Sequence, residues 1–519
     1  MTAVVVTSER SQSPARFPWG ISKLGLLIMV CAQFLVGLDA AIATIAMPTM
    51  ERELSVNAAS IQWTVIGYMV ACAAVAVPVG ALGDRIGKRP VYVAGLGAVL
   101  AGSIICTLSG SNWVLVTGRA IGGCGAAATT VMTLAILTSA VSADLVPKVV
   151  GMWAALSSSA TCLAPMLSGL LVQTVGWRLM FGIDVIPLIV IMILARWTVP
   201  NTERATATRM GGLGLGLMVA SVLLVAGGLS RSGGNRLLSA GVLLPVVAGL
   251  LVMVAFVYQQ RRTAKPLTDW KVIGQYPIPA VLVLLAALGL ALTGSMFQEM
   301  MLLQKAFDYS PLLAGSLDVG PAVIFVVCAA LTSRISARFG VARTVAAGLF
   351  ISGCGVFGIA VANTDPSPLW FVPWFLLMGV GMGLAVPTLN ATAIRQVSSV
   401  SRGAVSGFLS LSSQLSAVLG IALLGGIAAS ATRVTWLDEL AENESQEGAV
   451  AKVASGAIAN INDNFGVAVG NIANLAYQYG VIIAMSVGAL GLFTASVVAA
   501  IWLRGASAPR NRLPSTPTT

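Results

Sequence analysis

The feature that most constrains this chain is the recurrence of apolar stretches about 20 residues long, the length a helix needs to cross the hydrocarbon core of a bilayer. Read against that template, the sequence holds fourteen of them, centred near residues 35, 71, 100, 125, 160, 188, 220, 248, 288, 322, 351, 380, 416 and 491. A globular core has no room for so many. Composition agrees, since 57% of the 519 residues are hydrophobic and only 9% charged, where soluble domains carry about 25% charged residues. The expected fold class is an all-α membrane protein.

An even number of spans puts both termini on one side. With the N-terminus inside, 22 of the 30 Lys and Arg residues fall on inner segments, seven on outer ones, and Arg119 lies within a span. That bias predicts cytoplasmic termini. The net charge of +11 is then a topology signal, with anionic membrane lipids as the partner of the inner loops. The basic residues lie between apolar runs and form no soluble patch, so no nucleic-acid partner is expected. A cleaved signal peptide ending near Ala43 is disfavoured, because the first apolar run is long and contains Asp39. The long outer segment 429–479 holds six acids, and the spacing from Ala449 to Ile472 suggests either an amphipathic surface helix or a solvated acidic loop.

All seven cysteines fall in apolar stretches without CxxC spacing, and there is no histidine. Disulfides and metal sites are therefore not expected, and proton chemistry falls to carboxylates. The absence of GxxxxGK[ST], HExxH and GxSxG argues against an enzyme or an ATP-driven pump.

Ionised side chains at membrane depth are costly and mark function by default. Four stand out: Asp39, Arg119, Asp184 and Asp318. At 1.5 Å per residue Asp39 lies ~14 Å below the outer end of its span and Arg119 ~10 Å below the end of its own, depths that allow pairing. A proton on Asp39 would release the arginine; the alternative is a permanent salt bridge that only fixes helix packing. Asp184 is nearer the outer end, either a structural or interfacial acid neutralised by Arg178 nearby or a cation-binding candidate. Asp318 sits in a Gly/Pro-broken helix start, Gly315 to Pro321, of the kind that lines cavities. Glu299 is expected at the outer mouth of the ninth span, as a solvated acid or a cation site.

Between the second and third spans runs Gly80-Ala81-Leu82-Gly83-Asp84-Arg85-Ile86-Gly87-Lys88-Arg89-Pro90. It resembles the GxLxDRxGxKR signature of the major facilitator superfamily. Leu38-Asp39 with Ala46-Met47-Pro48, Trp63 through Tyr68, and Arg119 through Gly125 are similar to motifs of its fourteen-helix drug:proton antiporters of the EmrB/QacA type. The departures are specific. The span-five motif GxxxGPxxGG reads Ala160, Ala164-Pro165 and Ser168-Gly169, Gly122 stands where glutamine is usual, and Asp184 stands where asparagine is common. Ala337-Arg338-Phe339-Gly340 echoes Asp84-Arg85-Ile86-Gly87 with the acid gone, a trace of an internal repeat.

The resemblance implies an N-terminal tail 1–21, a six-helix bundle over 22–197, two inserted helices and a linker over 198–276, a second bundle over 277–503 and a tail 504–519. It implies proton coupling at Asp39 and Arg119, a conformational latch at Asp84 and a cation-binding role for Asp318. Function is then expected to be proton-driven export of lipophilic or cationic small molecules across a bacterial plasma membrane by a monomer. Protons are the coupling partner, the proton gradient is the energy source, and no cofactor is needed. Phe34, Trp63, Tyr68, Phe297, Met300 and Phe325 are expected to supply an adaptable apolar pocket, or else to pack or face lipid. Export of a lipid or endogenous metabolite by the same cavity is the alternative; a channel or sensor is a more distant one.

Overall fold

The computed structural model describes residues 23–56, 58–139, 160, 163–200, 212–230, 239–263, 274–363, 367–395, 402–439 and 467–504. Within these all regular structure is helical. The first group of helices is α1 (Lys23–Glu53), α2 (Ala58–Ile86), α3 (Lys88–Thr107), α4 (Asn112–Ser139), α5 (Leu163–Thr174), α6 (Gly176–Gly182) and α7 (Val185–Thr198). Then come α8 (Gly212–Ser230) and α9 (Ala240–Arg262). The last group is α10 (Ile278–Lys305), α11 (Pro311–Leu317), α12 (Val319–Phe339), α13 (Val341–Ala362), α14 (Pro368–Arg395), α15 (Arg402–Glu439) and α16 (Val467–Trp502). Among the described residues eleven helices are long and apolar enough to cross a membrane, and Ser60–Ala76, Leu163–Thr174 and Gly216–Val225 are shorter apolar ones. The expected span centres fall on these helices or within three residues of one.

Local chemistry sets several boundaries. Gly87, at φ 107°, turns the chain between α2 and α3, and Gly340, at φ 85°, does the same between α12 and α13; side-chain-bearing residues are strained there. Ser310 caps α11 by accepting from the Leu313 amide at 3.3 Å, and Pro311 follows at the first turn.

Small residues set the crossings. A Cβ on Gly102 of α3 would lie 2.7 Å from the Gly118 carbonyl oxygen of α4, and one on Gly125 of α4 would lie 2.6 Å from that of Gly95. In the last group α13 and α14 cross in the same way, with a Cβ on Gly381 falling 2.4 Å from the Gly348 oxygen. Such backbone approaches replace the hydrophobic drive that lipid does not supply.

In the first group α4 packs between α2 and α3, and α7 lies against α1 and α3; in the last, α14 packs on α12 and α13, and α10, α15 and α16 on one another. Tyr92, Leu96, Val99 and Leu188 belong to the core of the first group, and Leu284, Leu349, Phe375 and Leu492 to that of the last. A third cluster joins them, including Met47, Ile66 and Trp177 with Phe297 and Val418. The helices α8 and α9 pair with each other, and α8 touches both α2 and α15.

The segment 429–479 is shorter as a connection than expected. Helix α15 continues to Glu439 because Thr432 and Trp436 are buried, and α16 starts at Val467 with Ala473, Ala476 and Tyr477 buried. The amphipathic helix expected over Ala449–Ile472 lies outside the described residues up to position 466, as do the two terminal tails.

Candidate functional site

Four helices converge on Arg119. Its Nη1 donates to Asp39 Oδ1 at 2.8 Å, its Nε donates to the Thr64 carbonyl at 3.3 Å, and Nη2 has no hydrogen-bond partner among the described residues. The guanidinium carbon lies 4.1 Å from the Tyr68 ring centroid and 5.6 Å from that of Phe181. Arg119 is 1% exposed and Asp39 4%. The sequence folds this way because α4 offers glycine toward its neighbours. A Cβ on Gly123 would lie 2.3 Å from the Tyr68 carbonyl oxygen, so only glycine lets α2 approach. Gly122 lies beside the pair without being forced to be glycine, since a Cβ there would sit in ordinary contact, 4.0 Å from Asp39 Oδ2.

A buried pair of this kind is held against a large desolvation cost, and removing either charge strands the other. Protonating Asp39 would remove its Coulombic hold on Arg119, leaving the Thr64 carbonyl and the two aromatic faces as attractions around the guanidinium. The arrangement is thus chemically able to respond to one proton with a side-chain movement.

Asp184 departs from expectation. Arg178 does not neutralise it: Arg178 Nη1 pairs with Glu53 Oε2 at 2.7 Å and its Nε donates to the Ser109 carbonyl at 3.2 Å. The helix breaks after Gly182, between the two residues, and Arg178 turns to Glu53 of α1 instead. Asp184 is 2% exposed and lies within electrostatic reach of Asp39 and Arg119.

The last group holds its own acids. Glu299 is 2% exposed, so it is not a solvated acid at the mouth of its span. Its helix is covered there by α1, whose Glu51 pairs with Lys305 at 2.7 Å, and Glu299 lies nearly two turns further in. Glu299 Oε1 has no hydrogen-bond partner among the described residues, and Asp318 is near enough to act on it as a like charge. Asp318 stands at the break between α11 and α12, where a broken helix was expected. Neither acid is in an ion pair among the described residues.

The six expected pocket side chains are not brought together. Tyr68 is buried beneath Arg119, and Trp63 faces α8 at Gly227, where a Cβ would lie 3.5 Å from its ring. Phe297 and Met300 belong to two different buried clusters, and Phe34 and Phe325 are half-buried.

In the Gly80–Arg89 motif, Gly87 makes the turn and Lys88 Nζ donates to the Ala135 carbonyl at 3.2 Å. Arg89 opens α3; the side chains of Asp84 and Arg85 lie outside the described part, so the latch expected at Asp84 does too. Ala164 and Pro165 pack tightly in α5 territory, and a Cβ on Gly169 would lie 2.3 Å from the Pro311 carbonyl oxygen. Reciprocally, a Cβ on Gly315 would lie 2.2 Å from that of Pro165. This backbone crossing joins α5 and α11 at the end of the bundle distal from the chain termini. Two side-chain contacts add to it there: the Glu51–Lys305 pair, and Gln304 Nε2 donating to the Ile45 carbonyl at 3.2 Å. Sequence reasoning missed both, because each residue alone is an ordinary polar group at a helix end.

The family model described as Major Facilitator Superfamily matches residues 29–421. The chain is similar, at 26% identity over 78% of its length and 87% of the relative's, to the methylenomycin A resistance protein of Bacillus subtilis. It is 25% identical to the tetracenomycin C resistance and export protein of Streptomyces glaucescens, covering 80% and 78% of the two chains. It is 28% identical to the drug efflux pump JefA of Mycobacterium tuberculosis, over 76% and 78%. Among solved structures it resembles the peptide transporter PepTSo, with a TM-score of 0.63 at 15% identity over 95% and 99% of the chains. It also resembles a bacterial homologue of the lysosomal transporter Spinster, with a TM-score of 0.62 at 16% identity over 93% and 98%.

Proposed function

The chain belongs to the major facilitator superfamily, and we propose that within it this protein is a proton-coupled antiporter that exports lipophilic or cationic drugs across a bacterial plasma membrane. It is a multi-pass membrane transporter and not an enzyme. The observation that carries the reading is the Asp39–Arg119 pair at 2.8 Å, where one proton decides whether a buried arginine is held. Relatives named for resistance to methylenomycin and tetracenomycin support the class of cargo.

In the proposed cycle the chain crosses fourteen times as two bundles of six spans, α1–α7 and α10–α16, in which α6 with α7 and α11 with α12 each make one span, and α8 and α9 lie between them. Cytoplasmic termini, as the basic loops favour, make the distal end the outer face. The Glu51–Lys305 pair and the α5–α11 crossing then hold the outer mouth closed. Glu299 and Asp318 are the acids on which a cationic cargo would displace a proton in the second bundle, since neither has a basic partner in an ion pair among the described residues. A lipid or metabolite cargo is an outcome of the test.

The test is efflux of a fluorescent lipophilic cation from cells expressing the wild type or Asp39→Asn, with and without a protonophore. Efflux by the wild type alone, abolished by the protonophore, is the expected result. Full efflux by Asp39→Asn overturns coupling at Asp39, and no efflux by a well-expressed wild type overturns the drug cargo.

A further inference from the structure

Arg119 is bonded to one carboxylate and lies within electrostatic reach of a second, Asp184. Its Nη1 is held by Asp39, and its Nη2, equally buried, has no partner among the described residues. Asp184 is 2% exposed and feels both Asp39 and Arg119, yet forms no ion pair among the described residues. It is the N-cap residue of α7 but makes no capping hydrogen bond, so that ordinary reason for an acid at a helix start does not apply. The arginine on its own segment is committed to Glu53.

Resting on the antiport reading above, we propose that Asp184 is a second proton-holding carboxylate of the coupling site, one that shares Arg119 with Asp39. Two carboxylates and one guanidinium buried together are neutral only when one proton is present among them. Low dielectric makes any other charge state costly. With Asp39 ionised and paired, the proton resides on Asp184. When Asp39 takes a proton from water, its bond to Nη1 is lost. Asp184 then gives its proton to water and becomes the counterion of Arg119 through Nη2. One proton enters and one leaves, and the arginine turns between two acceptors without ever being stranded.

Among the described residues the surroundings supply no competing charge. Helix α1 contributes Asp39, with Glu51 and Glu53 engaged at its distal end by Lys305 and Arg178; α2 contributes the Tyr68 hydroxyl, which donates to the Val36 carbonyl at 3.5 Å. Helix α3 contributes the Cys106 thiol, which donates to the Leu115 carbonyl at 3.7 Å, while its Lys88 bonds to Ala135 and Tyr92 is buried in the core. Helix α4 contributes Arg119, and Arg196 of α7 lies in that helix's last turn, remote from Asp184.

The test is a thermal-unfolding cycle on purified full-length protein: wild type, Asp39→Asn, Asp184→Asn and the double variant. Each single variant leaves Arg119 one carboxylate as counterion, whereas the double variant leaves none. The double variant is therefore expected to lose more melting temperature than the two single losses combined. Additive losses overturn the proposal. This arm needs no cargo, so it stands or falls independently of drug export. A second arm reads the pH dependence of protonophore-sensitive efflux. Without Asp184 to discharge, Asp39 must accept its proton beside an uncompensated arginine, and the midpoint for Asp184→Asn moves about one pH unit acidward. Asp184→Glu restores it. An unmoved midpoint in a folded, active Asp184→Asn variant shows Asp184 to be structural only.

Discussion

The two ends of the chain use one frame and two kinds of electrostatics. In the first group α3 crosses α4 on Gly95, Gly102, Gly118 and Gly125, and in the last α13 crosses α14 on Gly348 and Gly381. A positive-φ glycine precedes each pair, Gly87 in one and Gly340 in the other. The buried charges do not repeat. The first group pairs Asp39 with Arg119 and holds Asp184 within electrostatic reach of both, whereas the last sets Glu299 near Asp318 with no ion-paired base among the described residues. Packing geometry is thus the repeated element, and charge is where the halves have diverged.

The largest break of this contrast comes from Arg119→Leu. It strands Asp39 in a site 4% exposed, and should cost about 3–5 kcal/mol in thermal unfolding in detergent; a loss within error would mean that the first group's acids are as self-sufficient as Glu299. The shared frame is tested next. Gly125→Ala and Gly381→Ala each push a Cβ to within 2.6 Å of a facing backbone atom, and each should cost about 1–3 kcal/mol. A large loss in one and none in the other would show that the two crossings are not equivalent. Glu299→Gln should act unlike Arg119→Leu, leaving stability unchanged within about 1 kcal/mol, because it replaces a buried acid that is in no ion pair among the described residues with a neutral amide of nearly the same shape. A marked drop in melting temperature would reveal a partner that the halves have in common. Smallest is Glu53→Gln. Its pair with Arg178 is 46% and 41% exposed, so the change should stay within about 1 kcal/mol, and a larger one would extend the first group's ion-pair dependence to its surface.

The fold class was legible from apolar run length, because that length follows from the bilayer and needs no knowledge of contacts. The Asp39–Arg119 pairing was legible for a related reason: depth along a helix is a count of residues, and two charges at similar depth have few alternatives. Direction around the helix is a different matter. Arg178 looked like the partner of Asp184 by proximity in sequence, and the break after Gly182 together with Glu53 of α1 sent it elsewhere. Glu299 looked solvated because one helix end resembles another until α1 is seen to cover it. The aromatic candidates failed similarly. Phe297 and Met300 have the right depth, but they pack into buried clusters whose other members come from distant parts of the chain.

The crossing of α5 and α11 brings Gly169 against the backbone at Pro311, and Gly315 against that at Pro165. Main chain meeting main chain leaves no room for a Cβ on either glycine, so neither position can gain a side chain without parting the two helices. The fit of this contact is set by backbone shape and not by side-chain identity. Residues elsewhere along the two helices can therefore change while the crossing itself stays the same.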